Sequence, residues 1–454
     1  MKNYLLIVLL AVSSASFSQS MWSEPGALKA NNIILAVHCD AAGNAYAGGK
    51  FKNANGDFIV VKWSGTSWGE MGGGSTSLYA NNAINTICSD AIGNIYVAGK
   101  FRNSVSKNYV AKWDGAKWSE VGTGANALNA VGDINSICAD NKGNLYAAGG
   151  FKNTNGKYYV SMWNGTKWAE LGSGNNSLSS DSIILTIAVD TARNVYAAGR
   201  ITNSSGFKYV AKWDGTKWTE LGGTSATPLN ANDYINSICT DIAGNVYAGG
   251  GFTNTNGDYQ LVMYNGTDWN EVSSGGSYIA ANEDINSIVI GTGGSIYAAG
   301  RFTNAAGKQY VAKWNGTKWS ELGPGANALN AGDAINAVSS DKNGNVYAAG
   351  NFKNAAGSNY VAKYTFINSI SETNMLNEVQ VYPNPANDNI TISNPNNTML
   401  RTEIYSLDGK LLKQISQNNT DKISVNVSDL SSGIYMLKLI DKNVVNVKQI
   451  VVER

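Results

Sequence analysis

Short apolar runs alternate with clusters of Asn, Gly, Asp and Ser along most of the chain, and nowhere does a helical period intervene. Between Ile134 and Leu171 the alternation predicts four strands. Ile134–Cys138 is a short apolar run, stopped by the turn cluster Asp140–Asn144. Leu145–Gly149 follows and leads through Phe151 to the polar turn Asn153–Gly156. Tyr158–Trp163 is the third strand, Asn164-Gly165 a strong hairpin signal, and Trp168–Leu171 the fourth strand. So short a connection leaves Trp163 and Trp168 on one face of the hairpin, where the rings can pack together.

This unit is written seven times, the last copy cut short. Tyr146 has counterparts at Tyr46, Tyr96, Tyr196, Tyr247, Tyr297 and Tyr347, and Trp168 at Trp68, Trp118, Trp218, Trp269 and Trp319. A repeat of about fifty residues holding four antiparallel strands reads as a propeller blade. The seventh unit ends at Tyr364 without the W-x-E strand that the others carry. That strand stands at the other end of the chain, where Trp22-Ser23-Glu24 matches Trp319-Ser320-Glu321. The expected passenger, residues 19–364, is therefore a seven-bladed β-propeller closed by its own N-terminal strand, a device that leaves no sheet edge exposed.

The two ends differ in kind. Residues 1–18 read as a signal peptide: Lys2, an apolar core from Leu5 to Val12, and the small-residue pattern around Ser16–Ser18. That core is too short for a stable membrane anchor, and nothing later is long and apolar enough to span. After a polar linker, 365–377, residues 378–454 alternate in seven short runs and predict a small C-terminal β-sandwich. The whole chain is expected to be all-β, exported and monomeric.

The tail carries Val381-Tyr382-Pro383-Asn384-Pro385, Ile404–Lys410, Leu430–Tyr435 and the closing Lys448–Val452. In these it resembles the type A C-terminal sorting domain of the Bacteroidetes type IX secretion system. The resemblance implies a partner, the type IX machinery, and export in two stages, after which the passenger is released or held at the cell surface. The blades, with N-x-Y-x-x-G-x-F and K-W-x-G-x-x-W-x-E-x-G, resemble kelch-like and cortical-marker-like propellers of secreted proteins. The kelch Gly pair recurs at its spacing only at Gly149-Gly150 and Gly250-Gly251, so the resemblance implies architecture and no functional residue.

Composition narrows the chemistry. With charged residues at 15% and net charge +1, no basic surface for nucleic acid is expected. Cys88, Cys138 and Cys239 occupy one position in different blades, beyond the ~7 Å Cα limit of a disulfide. Cys39 is offset by one residue, so only a Cys39–Cys88 bridge is conceivable; otherwise buried free thiols are expected. His38, the one histidine, stands where other blades have small residues, without a nucleophile motif or a zinc set around it. The Asp40–Asn44 type of turn reads as structural rather than as a calcium loop. No catalytic residue, metal or cofactor is therefore expected, and no unit looks grossly irregular.

Two recurring Asn sets remain. Asn85, Asn135, Asn236, Asn286 and Asn336 fall in the innermost strand. Asn53, Asn103, Asn153, Asn203, Asn254, Asn304 and Asn354 fall in the loop after the second strand. Presence in every blade favours turn capping. The alternative is ligand contact by Asn53, Asn55, Asn103, Asn153, Asn155, Asn175, Asn176, Asn254, Asn256, Asn304 and Asn354, on a face of variable loops. The expectation is a non-enzymatic binding or adhesion module for glycan or protein; a polysaccharide lyase or hydrolase, or a structural surface-layer component, are the alternatives.

Overall fold

The computed structural model describes residues 20–366, 379–393, 400–406, 410–417, 421–441 and 444–454. The expected signal peptide and almost all of the expected linker lie outside them. Two compact units are present, one spanning Gln19–Phe366 and the other containing Ile367–Arg454. Among the described residues both are all-β, with short 3-10 turns in the larger one.

The larger unit is a β-propeller. Its described residues form seven four-stranded antiparallel sheets, six of them in simple sequence order. Sheet three consists of Ile134–Ala139, Leu145–Gly149, Ser161–Trp163 and Trp168–Glu170. Sheet seven takes its first three strands from Ile335–Ser340, Val346–Lys353 and Asn359–Thr365, and its fourth from Met21–Ser23. Trp22 lies opposite Tyr364 in the register in which Trp168 lies opposite Trp163. A second closure joins Ala30 and Asn359, which exchange backbone hydrogen bonds of 2.9 and 3.0 Å.

The core sits between neighbouring sheets. Cys88, Tyr96, Ala98 and Val110 of sheet two pack on Ile134, Ile137, Leu145, Ala147 and Phe151 of sheet three. Small residues at Ala147 and Ala148 let strands approach closely while Phe151 fills the gap; all three are fully buried. Gly149 ends the second strand because a Cβ there would meet the Asp133 carbonyl oxygen at 2.1 Å, beside a register shift in the first strand. The other six sheets place glycine at this position too, from Gly49 to Gly350.

Two sets of hydrogen bonds tie sheet to sheet, the outer one present in all seven sheets and the inner one in five. On the outside the fourth-strand indole donates to a carbonyl of the preceding sheet: Trp168 to Val121 (2.7 Å), Trp118 to Met71 (2.8 Å), Trp22 to Leu322 (2.9 Å), and Trp68 to Pro25 (2.8 Å). Trp218, Trp269 and Trp319 complete the circle. On the inside, Asn85, Asn135, Asn236, Asn286 and Asn336 each donate Nδ2 to a carbonyl of the next sheet, the last reaching Ile34 at 3.0 Å. The innermost Asn set is therefore a ring-closing device.

One expected strand is shorter than its apolar run. In sheet three the third strand begins at Ser161, not Tyr158, because Tyr158 is bridged instead by Lys152 and by Ser180. The connection leaving the fourth strand thus folds back onto its own sheet. In the smaller unit the seven expected strands form a three-stranded and a four-stranded sheet. Ile390, Ile392, Ile423 and Val425 of one share a buried core with Ile404, Leu437, Leu439 and Ile450 of the other.

Candidate functional site

Antiparallel order puts the loops after strands two and four at one end of the propeller and the tight turns after strands one and three at the other. The two ends use their polar residues differently.

At the tight-turn end the recurring aspartates are consumed locally. Asp140 Oδ1 accepts from the Asn144 backbone N–H (2.9 Å), and Oδ2 accepts from Asn144 Nδ2 (2.7 Å) and the Tyr146 hydroxyl (3.1 Å). Asp40, Asp90, Asp190 and Asp241 repeat the arrangement. Sheet four does so with Arg193 in the left-handed region (φ 71°) where the others have glycine. Burial pushes the Asp40 carboxyl up, but hydrogen bonds from Asn44 and Tyr46 outweigh it and hold it below its usual range. Among the described residues no group of three or more His, Cys, Asp or Glu side chains could hold a metal ion.

His38 is also structural. Sheet one has Leu35 and Ala36 where sheet three has Asn135 and Ser136, so the polar rungs that join other first strands are missing between sheets one and two. His38 Nε2 lies 2.8 Å from Ser89 Oγ of sheet two and supplies the link. Burial lowers its pKa to about 4 against a weaker opposing pull from Asp40, so the ring is neutral near pH 7. The cysteines are all free, and only Cys88 is fully buried, the other three being half-buried. Cys39 packs at the junction of sheets seven and one, and Cys88 at that of sheets two and three, which separates the one pair that the spacing allowed.

At the loop end Asn153 binds in three directions. Its Oδ1 accepts from the backbone N–H of Asn155 and of Lys157, both at 3.0 Å, and its Nδ2 donates to the Glu170 carboxylate at 3.0–3.1 Å. The same lock joins Asn53 to Glu70, Asn103 to Glu120, Asn203 to Glu220, Asn304 to Glu321 and Asn354 to Glu24. The glutamate of W-x-E thus has its purpose, and Glu24 performs it for sheet seven from the other end of the chain. The carboxamides of Asn53, Asn103, Asn153, Asn304 and Asn354 are thus engaged inside their loops, as turn capping requires. Asn254 caps its loop too, accepting from Asn256 and Asp258, but its Nδ2 turns to Asp258.

Asn55, Asn155, Asn175, Asn176 and Asn256 stand exposed on these loops. Two aromatic side chains that the sequence reading had not singled out stand with them, Tyr79 (59% exposed) and Tyr278 (54% exposed). A cleft of ≈ 750 Å³ opens beside Tyr278, lined also by Asn256, Asp258, Tyr259 and Glu271. No unit was expected to be grossly irregular, yet one departs from the others at its loop end. This is sheet five, and its signal was the Gly275-Gly276-Ser277-Tyr278 stretch, which no other repeat contains.

Residues 380–453 match the secretion system C-terminal sorting domain family. The chain is accordingly exported through the type IX secretion system to the cell surface or the extracellular space. No helix among the described residues is long and apolar enough to cross a membrane. No curated relative matches the chain. Among solved structures it is similar to the extracellular domain of the hybrid two-component system BT4673 of B. thetaiotaomicron, at 14% identity and a TM-score of 0.51, over 96% of this chain and 60% of that one. The corresponding domain of BT3049 from the same organism gives 12% identity and a TM-score of 0.49, over 96% and 58%. The chain thus spans about three fifths of either domain, and the likeness concerns the fold alone.

Proposed function

We propose that the exported protein is a seven-bladed propeller followed by a β-sandwich tail, and that the propeller is a non-enzymatic binding or adhesion module. It meets an extracellular glycan or protein with its loop end. One contrast carries the reading. The recurring Asp and Glu side chains, Glu271 of sheet five excepted, and His38 are spent in hydrogen bonds that hold turns and sheets, whereas Asn and Tyr side chains stand exposed at the loop end, where six of the seven sheets lock the loop after their second strand. Loops fixed before the ligand arrives lose little conformational freedom on binding. Repetition around the ring lets several weak contacts act together, so overall affinity exceeds that of any single loop.

The test is a glycan-array and cell-surface pulldown screen of the exported chain, run beside a polysaccharide-degradation assay. Retention without depolymerisation is the expected result. Release of oligosaccharide products would make the propeller an enzyme and end the binding-module reading.

A further inference from the structure

Sheet five breaks the repeat at its loop end. In the six other sheets an Asn–Glu lock spends the fourth-strand glutamate. In sheet five Asn254 Nδ2 donates to Asp258 at 3.3 Å, and the Glu271 carboxylate has no hydrogen-bond partner among the described residues. An aspartate at this place does not by itself break the lock, since Asp57 occupies it in sheet one and Asn53 still binds Glu70. The connection after the strand has changed as well. Sheets one, two, three and six follow the fourth strand with a 3-10 turn, at Gly74–Thr76, Gly124–Asn126, Gly174–Asn176 and Gly325–Asn327. Sheet five instead turns through Gly275 and Gly276 (φ 57° and 81°), with the Ser277 N–H donating to the Ser274 carbonyl at 2.9 Å. That turn sets Tyr278 where Ser77, Ala127 and Ser177 stand in sheets one, two and three.

At this place lies the ≈ 750 Å³ cleft, lined among others by Tyr259, Tyr278, Asp258, Glu271 and Asn256. Its size suits a small ligand. Tyrosine rings offer apolar faces to the C–H surface of a sugar, carboxylates accept hydrogen bonds from its hydroxyls, and the amide can do either. Burial, reinforced by Asp258, raises the Glu271 pKa, as expected for a carboxylate short of donors. Asp233, Glu283 and Asp284 add negative charge around Tyr259, which repels sulfated or uronate chains.

We propose that the sheet-five cleft binds an uncharged saccharide, gripped between Tyr259 and Tyr278 with its hydroxyls on Asp258 and Glu271. This rests on the binding-module reading and gives it a site. The test titrates the exported chain by calorimetry with neutral cello-, xylo-, manno- and galacto-oligosaccharides, and with oligogalacturonate as the anionic control. At least one neutral probe should bind and oligogalacturonate should not. Y278A and E271Q should each weaken the neutral probe by about tenfold or more, the effect of losing one anchoring contact. E170Q, at the locked position of sheet three, should leave affinity unchanged. Tyr278 is exposed, so its loss should not prevent folding, and circular dichroism verifies this for each variant. Neutral binding that ignores Y278A and E271Q would overturn the site while sparing the binding-module reading. Preferential binding of oligogalacturonate would overturn the ligand class. No binding of any neutral probe, with a protein ligand captured from cell surfaces, would overturn the saccharide site and leave the module reading standing on protein.

Discussion

The Trp22 indole donates its N–H to the carbonyl of Leu322 at 2.9 Å, joining residues 300 positions apart. The same ring packs edge-on against Tyr364 with centroids 5.4 Å apart, where the second to sixth sheets and the first place a tilted pair such as Trp163 and Trp168. One side chain thus completes the seventh sheet and ties it to the sixth. W22A should cost about 3–5 kcal/mol as a large aromatic lost from a packed interface. Deleting residues 19–26 should cost more, because the third strand of sheet seven becomes an unpaired edge prone to self-association. Denaturant melts and light scattering check both; a truncation as stable and as monomeric as the parent would refute closure.

The Asn locks divide the loop asparagines into two kinds. N153A removes the acceptor for two backbone N–H groups and the partner of Glu170, and should destabilise by about 1–3 kcal/mol. N155A, two residues on and exposed, should stay within about 0.5 kcal/mol of the parent. Equal effects in chemical denaturation would show that the lock contributes nothing.

His38 gives the pH dependence a sign. Its folded pKa of about 4 lies below the usual 6.5, so between those values the unfolded chain binds more protons and stability falls as the pH falls. The contribution is fully present above about pH 6.5 and is lost progressively towards pH 4, by about 2–3 kcal/mol. H38Q keeps a polar partner for Ser89 without titrating. The difference in unfolding free energy between parent and H38Q should therefore shrink or reverse on going from pH 7 to pH 4.5; a constant difference would mean that His38 is not the titrating group.

What the sequence shows and what it hides follows from distance along the chain. Strands, the Trp163–Trp168 pairing and the closure by Trp22 are legible because they rest on alternation, a four-residue connection and a displaced copy of a repeated strand. The partners of Asn153, Trp168 and His38 are not, since they lie 17, 47 and 51 residues away. Their choice depends on how closely one loop or sheet approaches the next. A residue present in every unit carries no mark telling whether its side chain turns inward to Glu170 or outward to solvent. Sheet five is readable only in retrospect, as the one place where a tyrosine replaces Ser77 or Ala127 beside a paired glycine.

Binding through the loop end requires that ligand affinity depend on that end of the propeller and not on the other. The direct measurement compares binding of two exported variants to a glycan or cell surface that retains the parent chain. One carries N55A, N155A, N175A and N176A with Y278A at the loop end; the other carries N164A and K167A at the tight-turn end. The loop-end variant should lose at least about tenfold in affinity with its melting temperature nearly unchanged, while the tight-turn variant binds as the parent does. Full binding by the loop-end variant, or equal loss from both, would contradict a ligand face built on the loops.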